Sequence, residues 1–440
     1  MTTTDQDTHI TLKPGRQKLS VALAVAATMP GIAFRLGGLH TTDPLDALIY
    51  GMAIVGAAFL LSWAAETAQL DISAGLAIAI LAFIAVLPEY AVDLVFALKG
   101  GNAFEQFGVA CQSAADAAAG RESACSLALA NMTGANRLLI GVGWTAVIFV
   151  AWWKYRQRGT RMKDVTLERS HAVELAFLAV ATMYSLTLPL KKSITLVDAA
   201  ILVSLFIAYT IRISKAPASE PHLVGPARWM ATFSTRGRRA SYIGMFAFAA
   251  AVILLCAEHF AEALVETGAT LGISEFFLVQ WLAPLASEAP ELLVACLYAW
   301  RLNTNAGLGT LVSSKVNQWT LLVGTLPIAF AIASASTHGL PIVTRQRDEL
   351  LLTAAQSLFA VAILVNLSMS VREAWMLFIL FWTQFLFGAL VPEDKHGTEL
   401  IAFSVIYVLL GLWFLLRDRR GVVKLLRDGF RAPYAQLSDG

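Results

Sequence analysis

Twelve stretches of this sequence are apolar over the length of a membrane helix. They lie near 19–38, 46–67, 72–98, 124–150, 171–190, 194–213, 241–266, 273–300, 305–336, 348–369, 372–391 and 398–416. A bilayer core takes ~20 such residues in a row. Backbone in lipid must satisfy its own hydrogen bonds, which leaves helices or closed barrels, and these runs are too long for barrel strands. Composition agrees: 57% of the 440 residues are hydrophobic, 15% are charged, and mean hydropathy is +0.64. A soluble domain does not look like this. The expected fold is all-α and polytopic, with about twelve transmembrane helices.

Lys and Arg set the orientation, because they collect on the cytoplasmic side. With the N-terminus inside, 23 of the 33 basic residues fall on the inner side. They include Lys154–Lys163, Arg236–Arg239 and the tail from Arg417. Seven fall outside, among them Lys99, Arg121, Arg345 and Arg347. The parts then read as a cytoplasmic tail 1–18, a first membrane half 19–213, a basic linker 214–240, a second half 241–416 and a basic tail 417–440. The first 18 residues are polar and do not resemble a signal peptide. Linker 214–240, with Trp229 and Phe233 among its bases, reads as an inner-surface strap on anionic headgroups or as a solvated connector. A net charge of +2 gives no argument for a nucleic-acid partner. Cys256 and Cys296 sit in apolar runs. Cys111 and Cys125 flank the outer loop 99–123 and could bridge there or stay free.

Within this frame one stretch stands out, Leu285 to Leu326. It is apolar enough for lipid, yet it carries Glu288, Glu291, Lys315, Asn317 and Gln318, with Ser287, Ser313 and Ser314. Charges at membrane depth are costly and mark ion or proton paths. Pro290 precedes Glu291 and is expected to break the helix there, freeing carbonyls beside a carboxylate. The pattern occurs twice. Pro88–Glu89 echoes Pro290–Glu291, and NRLLIGVG at Asn136–Gly143 echoes NQWTLLVG at Asn317–Gly324. With N-in topology, the helix of Glu89 runs outward and that of Glu291 inward. Two such copies point to a transporter with its site between inverted repeats.

Glu89 and Asp93 share a helix face, as do Glu288 and Glu291. Arg137 and Lys315 occupy near-equivalent places on the facing helices. Buried carboxylates this crowded do not all ionise, so protons and a cation compete for them. Each residue also has a plainer reading. A membrane Glu can be a packing hydrogen bond, and Asn131, Asn136 and Asn317 can be interhelical glue. Arg137 is expected to neutralise Glu89 or Asp93, and Lys315 to neutralise Glu288. Glu66, Glu258, Glu262 and Glu266 come late in their runs and are expected to snorkel. His259 is read as structural. The sequence has no HExxH, GxGD, Walker A or GxSxG motif, which argues against an intramembrane protease or a primary pump.

These residues resemble the Ca2+/cation antiporter superfamily, whose members have the sodium/calcium exchanger fold. Its signature is a GTS-L-PE-L segment in inverted repeats, followed by a GSN-type segment. LGISEFFLVQWLAPLASEAPEL at Leu271–Leu292 is similar to the second copy, and AVLPEYAV at Ala85–Val92 to the first. The resemblance covers roughly 46–391. It implies two inverted five-helix repeats with one extra helix at each end. It also implies that Glu89 and Glu291 are the central metal-binding glutamates and that Ser287 and Ser314 are hydroxyl ligands. The chain departs from the signature in three places. Ala85–Val86 replaces the Thr-Ser pair, Glu288 stands where a Ser is usual, and TGAN and SSKV replace GSN.

The expectation is a secondary antiporter, not an enzyme, that exchanges Ca2+ or Na+ for H+ by alternating access. Its place is the membrane, bacterial and inner, with both termini cytoplasmic. The cation/proton site is expected at Glu89, Glu291, Asp93, Glu288, Ser287, Ser314, Asn136, Asn317 and Gln318. Arg137 and Lys315 act there as counter-charges. No cofactor is expected besides the transported cation; the partners are inorganic cations, protons and the lipid bilayer. The rival readings are a sodium/calcium exchanger proper and a non-transporting scaffold or sensor.

Overall fold

The computed structural model of the chain describes residues 14–71, 87–216, 223–390 and 395–438. Residues 72–86, which hold most of the third apolar run and Ala85–Val86, lie outside it. Among the described residues, ten helices are long and apolar enough to cross a membrane. In chain order the main helices are α1 Pro14–Gly37, α2 Asp43–Ala68, α3 Leu87–Phe107 and α4 Ala124–Gln157. Next come α5 Ala172–Ser185, α6 Leu196–Ile213, α7 Thr235–Leu271, α8 Glu275–Trp300 and α9 Thr304–Ala333. The last four are α10 Thr344–Ile363, α11 Val371–Leu390, α12 His396–Arg417 and α13 Arg419–Phe430. Helices α3 and α11 stand where the third and eleventh runs were expected.

The helices begin where a side chain can satisfy their first amides. Ser123 accepts from Ser126 at the start of α4, Asn303 from Ala306 before α9, and Thr195 with Asp198 forms a capping box before α6. Helix α7 is far longer than its apolar run. It ends on Gly272, which takes the left-handed conformation open to glycine at φ 65°.

Two antiparallel ladders tie the halves together at their loops. Asp164–Thr166 pairs with Ser368–Ser370, and Ser193–Ile194 with Leu340–Pro341. The first ladder joins the loop after α4 to the loop after α10. The second joins the loop after α5 to the loop after α9. Each pairing therefore joins loops that strict alternation of spans puts on one face, and the two ladders fall on opposite faces.

Pro290 does not break its helix. Helix α8 runs unbroken through Pro284 and Pro290. The expectation of a broken helix beside Glu291 is therefore wrong, because neighbouring helices absorb the lost donors. Pro284 removes the amide that would bond Gln280 O, and α4 packs Gly134 onto that freed carbonyl. A Cβ on Gly134 would lie 1.6 Å from it. What does interrupt the α-helical ladder is a π-turn in each repeat, at Leu139–Trp144 in α4 and Gln318–Leu322 in α9. The second falls inside the NRLLIGVG/NQWTLLVG echo and the first overlaps it through Gly143, and π-turns gather at functional sites.

Linker and tail are docked. Val224, Ala227 and Met230 are buried, and Glu66 accepts from the Val224 amide at 2.9 Å. Glu66 thus does not snorkel; it is buried because it satisfies linker backbone. Glu262 and Glu266 do stay at the surface, paired with Lys99 and Arg121. The tail helix α13 lies on α5, and Arg169 pairs with Asp428 at 3.0 Å. Cys111 and Cys125 are joined by a disulfide, with Cα atoms 5.7 Å apart.

Candidate functional site: a buried carboxylate cluster

The site lies where α3, α4, α8 and α9 meet. Glu89 opens the first described turn of α3, and Asp93 follows on the same face, each 1% exposed. Glu288 comes from α8 with no exposure, and Glu291, one turn further on, is half-buried. Glu89 feels the charges of Glu288, Glu291 and Asp93. Four acids from two repeats therefore share one low-dielectric space, as expected from their spacing.

Gln318 holds the cluster together. Its Nε2 donates to Glu288 Oε1 at 2.7 Å and to Glu89 Oε2 at 3.3 Å. It sits on the first residue of the α9 π-turn, which turns it toward both repeats. Asn131 Nδ2 donates to Asp93 Oδ1 at 2.7 Å, so Asn131 serves the site rather than general helix packing. Ser314 faces the Glu291 carboxylate. Ser287 turns its hydroxyl proton back to Ala283 O and Pro284 O at 3.2 Å, leaving only its oxygen lone pairs for any ligand. Asn317 is buried beside the π-turn. Gln280, not foreseen as part of this region, reaches Thr133 at 3.4 Å.

Both counter-charges differ from expectation. Arg137 does not face Glu89 or Asp93. Its Nη1 donates to Glu349 of α10 at 2.6 Å and its Nη2 to Gln384 of α11, with Trp281 stacked 5.0 Å from the guanidinium. Gln384 in turn donates to Glu399 of α12 at 2.9 Å. The reason is register. By the sequence echo Arg137 matches Gln318, but the residue that turns to the carboxylates is Gln318, while Arg137 turns to the opposite side of α4. Lys315 is fully buried and donates to Asn136 O and Asn136 Oδ1, both at 2.6 Å, and not to Glu288. Glu288 and Glu89 are nonetheless the carboxylates whose charge it feels. Asn136 is thus engaged by Lys315 and faces no carboxylate. His259 makes an edge contact with Tyr50 at 5.5 Å.

Among the described residues no three His, Cys, Asp or Glu side chains converge to metal-holding distance. The carboxylates are gathered and bridged through Gln318 rather than closed into a cage. Oxygen ligands of this kind suit a hard cation, and the same oxygens accept protons.

Two stretches, 47–215 and 241–390, match the family described as sodium/calcium exchanger protein. The match leaves α1, α12 and the linker outside. The solved H+/Ca2+ exchanger CAX is 40% identical, with 96% of this chain and 98% of that chain covered, at a TM-score of 0.83. Native YfkE is 14% identical, covers 89% of this chain and 100% of its own, and has a TM-score of 0.57, which supports the fold alone. No curated protein matches. A helical membrane bundle whose two halves each match the same family model, with a carboxylate cluster between them, belongs to the sodium/calcium exchanger family.

Proposed function

We propose that this chain is an inner-membrane antiporter that exchanges Ca2+ for H+ across the bilayer, with both termini cytoplasmic. The carrying observation is the single Gln318 amide shared between Glu89 of one repeat and Glu288 of the other. A bridge of that kind lasts while the carboxylates hold protons or a weak partner. A divalent cation, which binds carboxylate oxygen more strongly, displaces it. Glu89 and Glu291 bind the cation and exchange protons for it. Asp93, held by Asn131, and Glu288 share the remaining proton load. The likeness to the H+/Ca2+ exchanger CAX over nearly the whole chain supports Ca2+ and H+ as the exchanged pair. Sodium is disfavoured as a co-substrate because the Lys315 side chain already occupies both oxygens of Asn136.

The test is Ca2+ uptake by proteoliposomes under an imposed pH gradient. An acidic interior should drive uptake, and Glu89→Gln or Glu291→Gln should abolish it while the protein stays folded. Uptake that follows a sodium gradient and ignores the pH gradient would assign the protein to sodium-coupled exchange. No uptake under either gradient would make it a scaffold.

A further inference from the structure

The two repeats differ in size and charge at one position beside the cluster. Aligning Asn136 with Asn317 sets Gly134 of α4 against Lys315 of α9. Gly134 is confined by its contact with Gln280. Lys315 instead extends a full side chain across the interface between the repeats, with no exposure.

Its surroundings are those of a bound monovalent ion. The ammonium meets two oxygens of one residue, the Asn136 carbonyl and Oδ1, both at 2.6 Å. It also lies 5.3 Å from the face of Trp319. The Oδ1 assignment is fixed, because Asn136 Nδ2 donates to Met132 O at 2.9 Å. Asn136 immediately precedes the turn that leads into the α4 π-segment, where the helical ladder is loosened. Carbonyl and amide oxygens are ligands that hard cations take, and electron-rich ring faces attract cations too. Among the described residues no carboxylate is bonded to this amine, which is not one half of a salt bridge there. It lies within electrostatic reach of Glu288 and Glu89.

We propose that Lys315 is a tethered substitute for a second transported cation. It occupies a monovalent-ion position beside the exchange site and so excludes sodium from transport. The inference rests on the carboxylate cluster being the exchange site. Removing the side chain opens a space faced by the two Asn136 oxygens.

The experiment compares wild type, Lys315→Ala and Lys315→Arg, purified in detergent without Ca2+. Thermal unfolding is followed in NaCl and in choline chloride at equal ionic strength. Wild type and Lys315→Arg should give the same Tm in both salts. Lys315→Ala should show a saturable upward shift in NaCl only, or should stay folded only in NaCl. Sodium-blind unfolding of Lys315→Ala, its failure to fold in both salts, or sodium stabilisation of wild type would overturn the proposal. The readout needs no transport, so it is independent of whether wild type exchanges Ca2+ for H+ in liposomes.

Discussion

Arg137 and Glu349 form a buried ion pair at 2.6 Å that joins α4 to α10, turned away from the carboxylate cluster. Both side chains are nearly inaccessible, and Gln384 extends the network to Glu399 on the appended helix α12. Arg137 is a pin of the scaffold. Removing one partner of such a pair leaves a buried charge and costs ~3–5 kcal/mol, whereas replacing both with apolar residues is close to neutral. Glu349→Leu should therefore lower Tm in detergent markedly, and Arg137→Met with Glu349→Leu should restore most of it. Folded double mutant should still exchange. A double mutant that folds well but has lost Ca2+ exchange would return Arg137 to the site.

Gly134 of α4 packs directly on the Gln280 carbonyl of α8. Gly134→Ala drives a methyl into the Gln280 carbonyl. It should cost ~3 kcal/mol or more, the upper range for overpacking, and greatly reduce the monodisperse fraction on size exclusion. Gly244→Ala, where nothing lies within 4 Å, is the control and should be neutral. Equal yields from the two variants would show that the helices have slack at this crossing.

Beyond α3 the Cys111–Cys125 bridge closes a loop of 14 residues' separation. A loop of this length contributes ~3 kcal/mol on the chain-entropy account. Intact protein should offer a maleimide at most Cys296, since Cys256 is buried. After reduction it should offer Cys111 and Cys125 as well, and from the outer face of the membrane only. Labelling of either loop cysteine without reductant would contradict the bridge.

Just past the C-terminal end of α2, Arg238 makes two 2.8 Å bonds to Asp71. The Arg238 hydrogen bonds hold the Asp71 carboxyl below the usual carboxylate range, against a smaller opposing effect of burial. A depressed folded value means this contribution is full above the ordinary Asp pKa of ~3.9 and is lost as pH falls through the lower folded one. The protection factor against hydrogen exchange at the start of α7 should thus be flat from neutral pH down to about 4 and fall below it. Asp71→Asn should show the lowered protection already at neutral pH.

Much of this was legible in the sequence. The apolar runs gave the helices, and the paired Pro-Glu segments gave Glu89 and Glu291 their counterpart positions. Glu288 and Asp93 followed from helical spacing. The partner of Arg137 was not legible, because a charge in a span says nothing about which face it takes, and Glu349 lies in another helix far along the chain. Its signal was present as Asp348, Glu349 and Gln356 in an otherwise apolar run. The π-turns left no mark in composition, yet they direct Gln318. Pro290 was over-read, since a proline's missing bond is a local fact and its remedy is tertiary. The docked tail was hidden because its basic residues read as solvated charge, while Leu425 and Gly429 face α5.

The central claim is that Ca2+ and protons compete for the same carboxylates, and the most direct measurement is proton release on Ca2+ binding. Purified protein in weakly buffered detergent solution is titrated with Ca2+ while pH is recorded. Wild type should acidify the solution in step with saturation, and Glu89→Gln and Glu291→Gln should release fewer protons or none. Saturable Ca2+ binding with no change in pH would contradict the account.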